Sequence, residues 1–172
     1  MTSLVVAGTF LLAVTIAVAP PARSQSKTVS VDIKNAEGRS VGTATLSGTA
    51  KGVKIKLDIR DLPPGQHSIH IHQVAKCDPP DFKSAGPHFG AVHADHEHGS
   101  APAGDIPNFS LIVSADGTAH VSVVAPNVTL DEGENSVFSN GGTAIVIHAV
   151  SDASASAAAA PARIACGVIA KP

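Results

Sequence analysis

The chain has 172 residues, a length that fits one domain with a single core. Aromatic residues make up 3% of it and charged residues 15%, and the net charge is −2. This charge excludes an electrostatic nucleic-acid binder, because no basic excess is available to neutralise phosphates. The 44% apolar content excludes charge-driven disorder. Seven of the nine histidines lie in the segment from His67 to His98, so the composition indicates a function that uses imidazole groups.

The chain begins with an uncharged apolar run over residues 4–19, followed by two prolines and the small-x-small pattern Ala22-Arg23-Ser24. The run is shorter than the ~20 residues of a membrane span. We therefore expect residues 1–24 to be a signal peptide and residues 25–172 to be one exported domain, periplasmic or secreted, with no stable membrane span after processing. An uncleaved anchor is the alternative, since no Lys or Arg precedes the run.

Two cysteines, Cys77 and Cys166, occur in the chain. Export implies an oxidising compartment, in which a single pair of cysteines is most simply a disulfide. The bond would enclose 88 intervening residues. Two free thiols are the alternative.

Beyond residue 28, apolar and polar residues alternate with period two, which predicts half-buried strands rather than helices. The segment 74–108 has no such period and is rich in Gly, Pro, His and Asp, as functional loops often are. The Ala-rich segment 153–162 is predicted to be a loop. About eight short strands indicate an all-β antiparallel sandwich or barrel, with predicted strands at 29–33, 40–50, 53–59, 68–73, 109–114, 118–124, 143–149 and 163–170.

The histidine spacing points to a metal site. His70 and His72 are two residues apart, which on a strand places both rings on one face, close enough to share an ion. His148 ends another apolar run, where a hydrogen-bonded core histidine is the alternative. Imidazole ligands suit copper, zinc and nickel, and four nitrogens suit Cu(II). The aperiodic segment adds four further histidines, with Asp95 and Asp105 nearby: His88, His93, His96 and His98.

Five segments, in chain order, carry motifs that can be compared with known families. They are residues 65–72 (GQHSIHIH), 84–89 (SAGPHF), 104–108 (GDIPN), 144–148 (AIVIH) with Asp152 after it, and 163–169 (RIACGVI). Together they resemble the copper/zinc superoxide dismutase family, in its exported bacterial form. The resemblance implies an eight-stranded Greek-key barrel or sandwich, immunoglobulin-like, with long functional loops.

The resemblance also implies a role for each matching residue. Copper would be bound by four histidines, of which His88, as imidazolate, would also bridge to zinc. Asp105 would bind zinc, and Asp152 would orient ligating histidines from behind. Cys77 and Cys166 would form the disulfide. The copper ligands so implied are His70, His72, His88 and His148.

The implied reaction is the dismutation of superoxide to dioxygen and hydrogen peroxide. Copper would take an electron from one superoxide and return it to a second. His88 would supply a proton, and the charge of Arg163 would attract the anion. For Arg163, a solvated cation at a strand end is the alternative.

The match departs from the family in its zinc-binding loop, because Pro102 stands where the family has a third zinc histidine. Four zinc ligands would be completed by His88, Asp105, His96 and His98, with His93 as a substitute. The alternative is that the loop histidines are solvated and the zinc site is weak or empty. His67 and His120 are expected not to bind metal.

The sequence thus predicts an enzyme, a copper-dependent superoxide dismutase that also binds zinc, with superoxide as its partner. The alternative is a non-catalytic protein on the same fold that buffers copper or zinc. The complete copper set and Arg163 favour the enzyme, since a metal buffer has no need of the cation. An adhesion sandwich would leave the histidines unexplained. A homodimer is compatible with the sequence, although no aromatic interface anchor is evident.

Overall fold

A computed structural model describes residues 27–90, 101–154 and 161–171. The predicted signal peptide and three loop histidines, His93, His96 and His98, lie outside the described residues. None of the helices within those three ranges is long and apolar enough to cross a membrane. The described residues form three single-turn 3-10 helices and nine strands: β1 (Thr28–Asn35), β2 (Ser40–Thr49), β3 (Gly52–Ile59), β4 (Gly65–His67), β5 (Ile69–His72), β6 (Leu111–Val113), β7 (Ala119–Ala125), β8 (Thr143–His148) and β9 (Arg163–Ile169).

The strands form a curled antiparallel sheet, which confirms the predicted all-β class. Seven strands follow the order β5-β8-β9-β1-β2-β3-β7, and β4 pairs separately with β6. Only Ser68 separates β4 from β5, so the chain changes sheets at this residue. The sequence predicted one strand over 68–73 and missed β4, because three residues of polar sequence carry no apolar alternation.

The main core fills the interior of the curled sheet. In β1 and β3 every second side chain points inward and the others are exposed, as the period-two pattern predicts. Ile55 and Leu57 of β3 are fully buried there, whereas Lys54 and Lys56 of the same strand face solvent. Burying such aliphatic side chains contributes about 1.5–3 kcal/mol each, and this supports the barrel independently of any ion.

Strand β8 differs because all six of its residues are buried. Ile145 and Ile147 point into the main core. The alternate residues point outward, into a second, smaller cluster that we call the outer core. Its buried members are Phe82, Ala85, Ala144, Val146 and Cys166.

The histidines lie on this outward side of the sheet. In β5, Ile69 and Ile71 belong to the main core, so His70 and His72 project from the opposite face. The strand register places His70 beside Val146, and a register shift after Ile147 sets His148 beside Arg163. The candidate site is therefore built on the outer surface of the barrel wall.

Residues 73–90 cover this outer surface, and we call them the covering segment. A disulfide joins Cys77 in this segment to Cys166 on β9, which confirms the predicted pairing. Backbone hydrogen bonds from Gln73 to Pro87 and from Val74 to Ala85 fold the segment onto itself. As a result, His88 at its far end is held over the histidines of β5.

Candidate metal centre

Four histidines from three parts of the chain converge at one point. His70 and His72 come from β5, His148 from the end of β8, and His88 from the covering segment. One ligand nitrogen from each lies within 4.8 Å of all the others. The rings of His70 and His88 are stacked with centroids 4.1 Å apart, and those of His72 and His88 lie 4.8 Å apart. The structure thus brings together the four residues that the sequence predicted as copper ligands.

Two of the rings present unprotonated nitrogens to each other. His72 Nδ1 donates a hydrogen bond to the Gly86 carbonyl at 2.8 Å, and His148 Nδ1 donates to the Pro161 carbonyl at 3.2 Å. Carbonyls only accept, so in both neutral rings the proton sits on Nδ1. The two Nε2 atoms, 3.4 Å apart, then face each other with lone pairs. This repulsive contact becomes favourable when a cation lies between them.

His70 supplies the clearest sign that the donor set fits a metal. Its Nε2 donates to Asp152 at 2.9 Å, whereas its Nδ1 is buried and has no hydrogen-bond partner among the described residues. Leaving a buried polar atom unsatisfied costs about 1–3 kcal/mol. A metal ion at the centre of the four rings would satisfy this nitrogen. Three imidazoles with a backbone or carboxylate partner behind them match the usual support of metal-binding histidines.

His88 is held from outside the cluster by Asp105. The His88 Nδ1 and the Asp105 carboxylate are 2.6 Å apart, and both side chains are about one-third exposed. Burial, followed by the charge of nearby His70, lowers the pKa of His88. With Nδ1 engaged by Asp105, Nε2 remains for the four-histidine cluster. His88 and Asp105, both predicted to bind zinc, therefore lie in contact with each other.

Pro102 does not act through its side chain but helps to place Asp105. Its carbonyl accepts a hydrogen bond from the Asp105 N–H at 3.0 Å, which turns the chain just before the carboxylate. The neighbouring Gly104 bonds to both sides of the site, accepting from the Ile71 N–H and donating to the Phe89 carbonyl. These bonds fix the Asp105 segment against β5.

Gly104→Ala is expected to displace this segment. A Cβ at this position would overlap the Ile71 carbonyl oxygen, so the backbone must move. We expect a loss of about 1–3 kcal/mol in the free energy of unfolding and weaker binding of any ion held by Asp105. Urea unfolding and metal titration measure both effects. Gly48→Ala is the control, because nothing lies within 4 Å of a Cβ there and the backbone at Gly48 is not in the left-handed region. An unchanged metal affinity in Gly104→Ala would contradict this role.

Arg163 lies next to the cluster and bonds to the covering segment. Its Nη1 donates to the Phe82 carbonyl at 2.7 Å and its Nη2 to the Gly86 carbonyl at 2.8 Å. The Gly86 carbonyl also accepts from His72, so one oxygen joins the cation to the histidine cluster. Burial lowers the pKa of Arg163, and the nearby Asp81 charge partly opposes this effect. The side chain is thus a positioned cation rather than one free in solvent.

The other two histidines of the described chain have no nitrogen directed at the cluster. His67 is buried, with Nδ1 2.8 Å from the His148 carbonyl and Nε2 2.8 Å from the Pro63 carbonyl. It supports the backbone of His148, a role that no sequence signal indicated. His120 is exposed and pairs with Asp58 across two strands. His93, His96 and His98 lie outside the described residues, so their place is not part of this geometry.

The metal-free protein is expected to lose stability as the pH falls. Burial lowers the pKa of His72 to about 3 and that of His148 to about 4. Below pH 6.5 the unfolded chain takes up protons at these positions while the folded chain does not, so acid favours unfolding. Between pH 7 and pH 5.5 we expect a loss of about 2 kcal/mol for the pair. Urea unfolding of chelator-treated protein measures this, and constant stability over the range would contradict it.

Four convergent imidazoles on a β-barrel define a histidine-ligated metal protein. The family model described as copper/zinc superoxide dismutase (SODC) matches residues 40–169. Superoxide dismutase [Cu-Zn] 1 of Aquifex aeolicus is 46% identical over 145 residues, covering 80% of this chain and 85% of the relative. The Escherichia coli K12 Superoxide dismutase [Cu-Zn] is 33% identical over 133 residues, covering 71% and 76%. The chain belongs to the copper/zinc superoxide dismutase family.

Solved structures agree with this assignment. A double mutant of a SOD-like protein from Bacillus subtilis superposes with a TM-score of 0.71 at 33% identity, covering 83% of this chain and 97% of that one. Cu/Zn superoxide dismutase from Brucella abortus gives a TM-score of 0.65 at 28% identity, covering 83% and 99%. These likenesses extend over nearly the whole of each solved chain.

Proposed function

We propose that this protein is an exported, copper-dependent superoxide dismutase, and that His70, His72, His88 and His148 bind the copper. The observation that carries the proposal is the four-nitrogen cluster, in which a buried His70 Nδ1 has no partner among the described residues. A four-nitrogen set suits Cu(II). The family membership and the relatives named as copper–zinc dismutases support the same reaction.

When bound, copper supplies the one-electron chemistry, taking an electron from one superoxide and returning it to another. The protein contributes charge, orientation and protons. Arg163 attracts the anion to the ligand cluster, as a fixed cation raises the capture rate of a small anion. His88 would hold a proton at Nε2 when that nitrogen is free and zinc binds Nδ1, whereas without zinc Asp105 orients the ring by accepting from Nδ1. Asp152 keeps His70 Nδ1 directed inward by accepting from Nε2.

The direct test is the activity of the purified protein reconstituted with copper. We expect superoxide dismutation well above that of an equal concentration of free copper. Arg163→Gln should retain copper and lose about tenfold in kcat/KM at low salt, because the steering charge is removed. Copper-loaded protein no more active than free copper would support the non-catalytic metal buffer instead. The test must distinguish this alternative because the B. subtilis relative is named only as dismutase-like.

We also propose a zinc site that includes His88 and Asp105, completed by His96 and His98 with His93 as a substitute. Tetrahedral zinc needs four ligands, and the approach of His88 to Asp105 supports the first two. Reconstitution with both metals should give one zinc per chain. The variant with His93, His96 and His98 all changed to Gln should lose zinc and retain copper. Wild-type protein that binds copper but no zinc would refute the proposal and indicate solvated loop histidines.

Export is proposed from the sequence of the first 24 residues, which has the apolar run and cleavage pattern of a signal peptide. The disulfide supports this, because such bonds persist in oxidising compartments. Mass spectrometry of the protein recovered from a periplasmic or culture-medium fraction should find an N-terminus at Gln25. Full-length protein retained in the membrane fraction would support an uncleaved anchor.

A further inference from the structure

Phe82 is the largest side chain of the outer core, and its backbone is bonded to Arg163. Its side chain is 1% exposed and packs with Ala85, Val146 and Cys166 rather than with the main core. Its carbonyl accepts the 2.7 Å bond from Arg163 Nη1. The same residue is thus buried through its side chain and bonded to the guanidinium through its backbone.

The backbone of Phe82 has an unfavourable conformation for a residue with a side chain. Its φ of 52° and ψ of 24° lie in the left-handed region, which bulky residues seldom adopt. Glycine adopts this conformation without steric cost. The presence of Phe therefore indicates that burial of the ring offsets the backbone strain, and that the ring keeps this turn in place.

The turn aims the Phe82 carbonyl at the guanidinium. The Phe82 N–H donates to Asp78, and its carbonyl accepts from the Ala85 N–H at 3.1 Å as well as from Arg163. Both lone pairs of the oxygen are thereby used. Any change in the turn would cost Arg163 one of its two hydrogen bonds, while the bond to Gly86 remains.

We propose that Phe82 is a positioning residue for Arg163: its buried ring fixes a left-handed turn whose carbonyl orients the guanidinium toward an incoming anion. The effect on anion capture rests on the proposed function, whereas the effect on the guanidinium does not. Among the described residues, no hydrogen bond joins Phe82 to any of the four histidines. Its loss should therefore alter Arg163 while leaving the copper ligands in place.

The test compares four variants of the full chain. Phe82→Ala removes the ring, and Phe82→Gly removes the ring together with the backbone strain. Phe82→Leu keeps an apolar side chain of similar size and serves as the conservative rescue. Phe138→Ala is the matched control, because Phe138 is a partly buried phenylalanine that packs against the main core instead.

The first measurement uses metal-free protein and is independent of activity. Nitrogen-15 NMR of the Arg163 guanidinium should give slowly exchanging Nη protons in wild type, Phe82→Leu and Phe138→Ala. Phe82→Ala and Phe82→Gly should exchange them faster, by about fivefold or more for the loss of one hydrogen bond. Unchanged exchange in both variants would overturn the proposal. If Phe82→Ala does not fold, the measurement on Phe82→Gly is decisive. A wild-type exchange rate in that variant would show that the turn holds Arg163 without the ring, which overturns the proposal.

The second measurement uses copper-loaded protein and azide as the anion probe. Phe82→Ala and Phe82→Gly should bind azide about fivefold more weakly, with a Cu(II) paramagnetic resonance spectrum like that of wild type. An altered copper spectrum would mean that the ligands had moved, which contradicts a role confined to Arg163. If wild type shows no dismutation but Arg163 exchange changes as expected, the proposed function fails and the positioning role stands.

Discussion

His148→Ala is expected to abolish superoxide dismutation, with a loss of at least about 100-fold in copper affinity. His148 contributes one of four converging nitrogens, and its Nε2 faces that of His72 at 3.4 Å. Alanine leaves three imidazoles and an open coordination position. The variant should still fold, because the hydrogen bonds of the His148 backbone to Ser68 and to His67 do not involve the His148 ring. Copper titration, the Cu(II) spectrum and dismutation by the purified variant measure the effect.

His120→Ala is the matched control, because His120 is an exposed imidazole on β7 paired with Asp58, far from the cluster in sheet order. It should bind copper and dismutate superoxide like wild type. Full copper binding and activity in His148→Ala would show that the four-histidine cluster is not the copper site. A loss in both variants would indicate a nonspecific effect of histidine removal.

Replacement of both cysteines, Cys77→Ser with Cys166→Ser, is expected to cost about 4–5 kcal/mol of unfolding free energy, because the bond joins residues 89 positions apart in sequence. Cys166 is also buried in the outer core, where a serine hydroxyl is less favourable. The covering segment, which carries Gly86 and His88, would lose its covalent attachment to β9. Copper affinity should fall together with stability.

Urea unfolding of metal-free protein separates these two effects. Wild type treated with a reductant should match the double-serine variant within about 1 kcal/mol, which serves as the chemical control. The copper affinity of reduced wild type, measured at a urea concentration where the reduced and oxidised forms are both folded, should be lower than that of the oxidised protein. Equal copper affinity in the oxidised and reduced forms would mean that the covering segment holds His88 without the disulfide.

The strands were predictable from the sequence where one face of the sheet is exposed to solvent. In β3 the alternation of Lys54 and Lys56 with buried aliphatic residues marks the strand directly. In β8 both faces are buried, and the apolar run indicated a strand without revealing that its two faces enter different cores. The short β4 was missed because Gly65-Gln66-His67 carries no apolar period. Its pairing with β6 is a tertiary contact.

The candidate site was predictable to the extent that its residues carry chemistry in their side chains. The two-residue spacing of His70 and His72 gave a shared face, and the resemblance to a family supplied His88 and His148. No feature of the sequence indicated that the carbonyls of Gly86 and Pro161 determine which ring nitrogen carries the proton, because every residue has a carbonyl. The role of Phe82 was missed for the same reason: its backbone oxygen meets Arg163, while its side chain looks like any core residue.

The position of the histidines on the outer surface of the barrel wall has a consequence for the order of assembly. The main core contains none of the four, so folding of the barrel requires no ion. Copper would then be inserted as the last event in maturation, into a barrel that is already folded. With this order of assembly, the supply of copper where the chain folds, rather than the rate of synthesis, would set how much active protein accumulates.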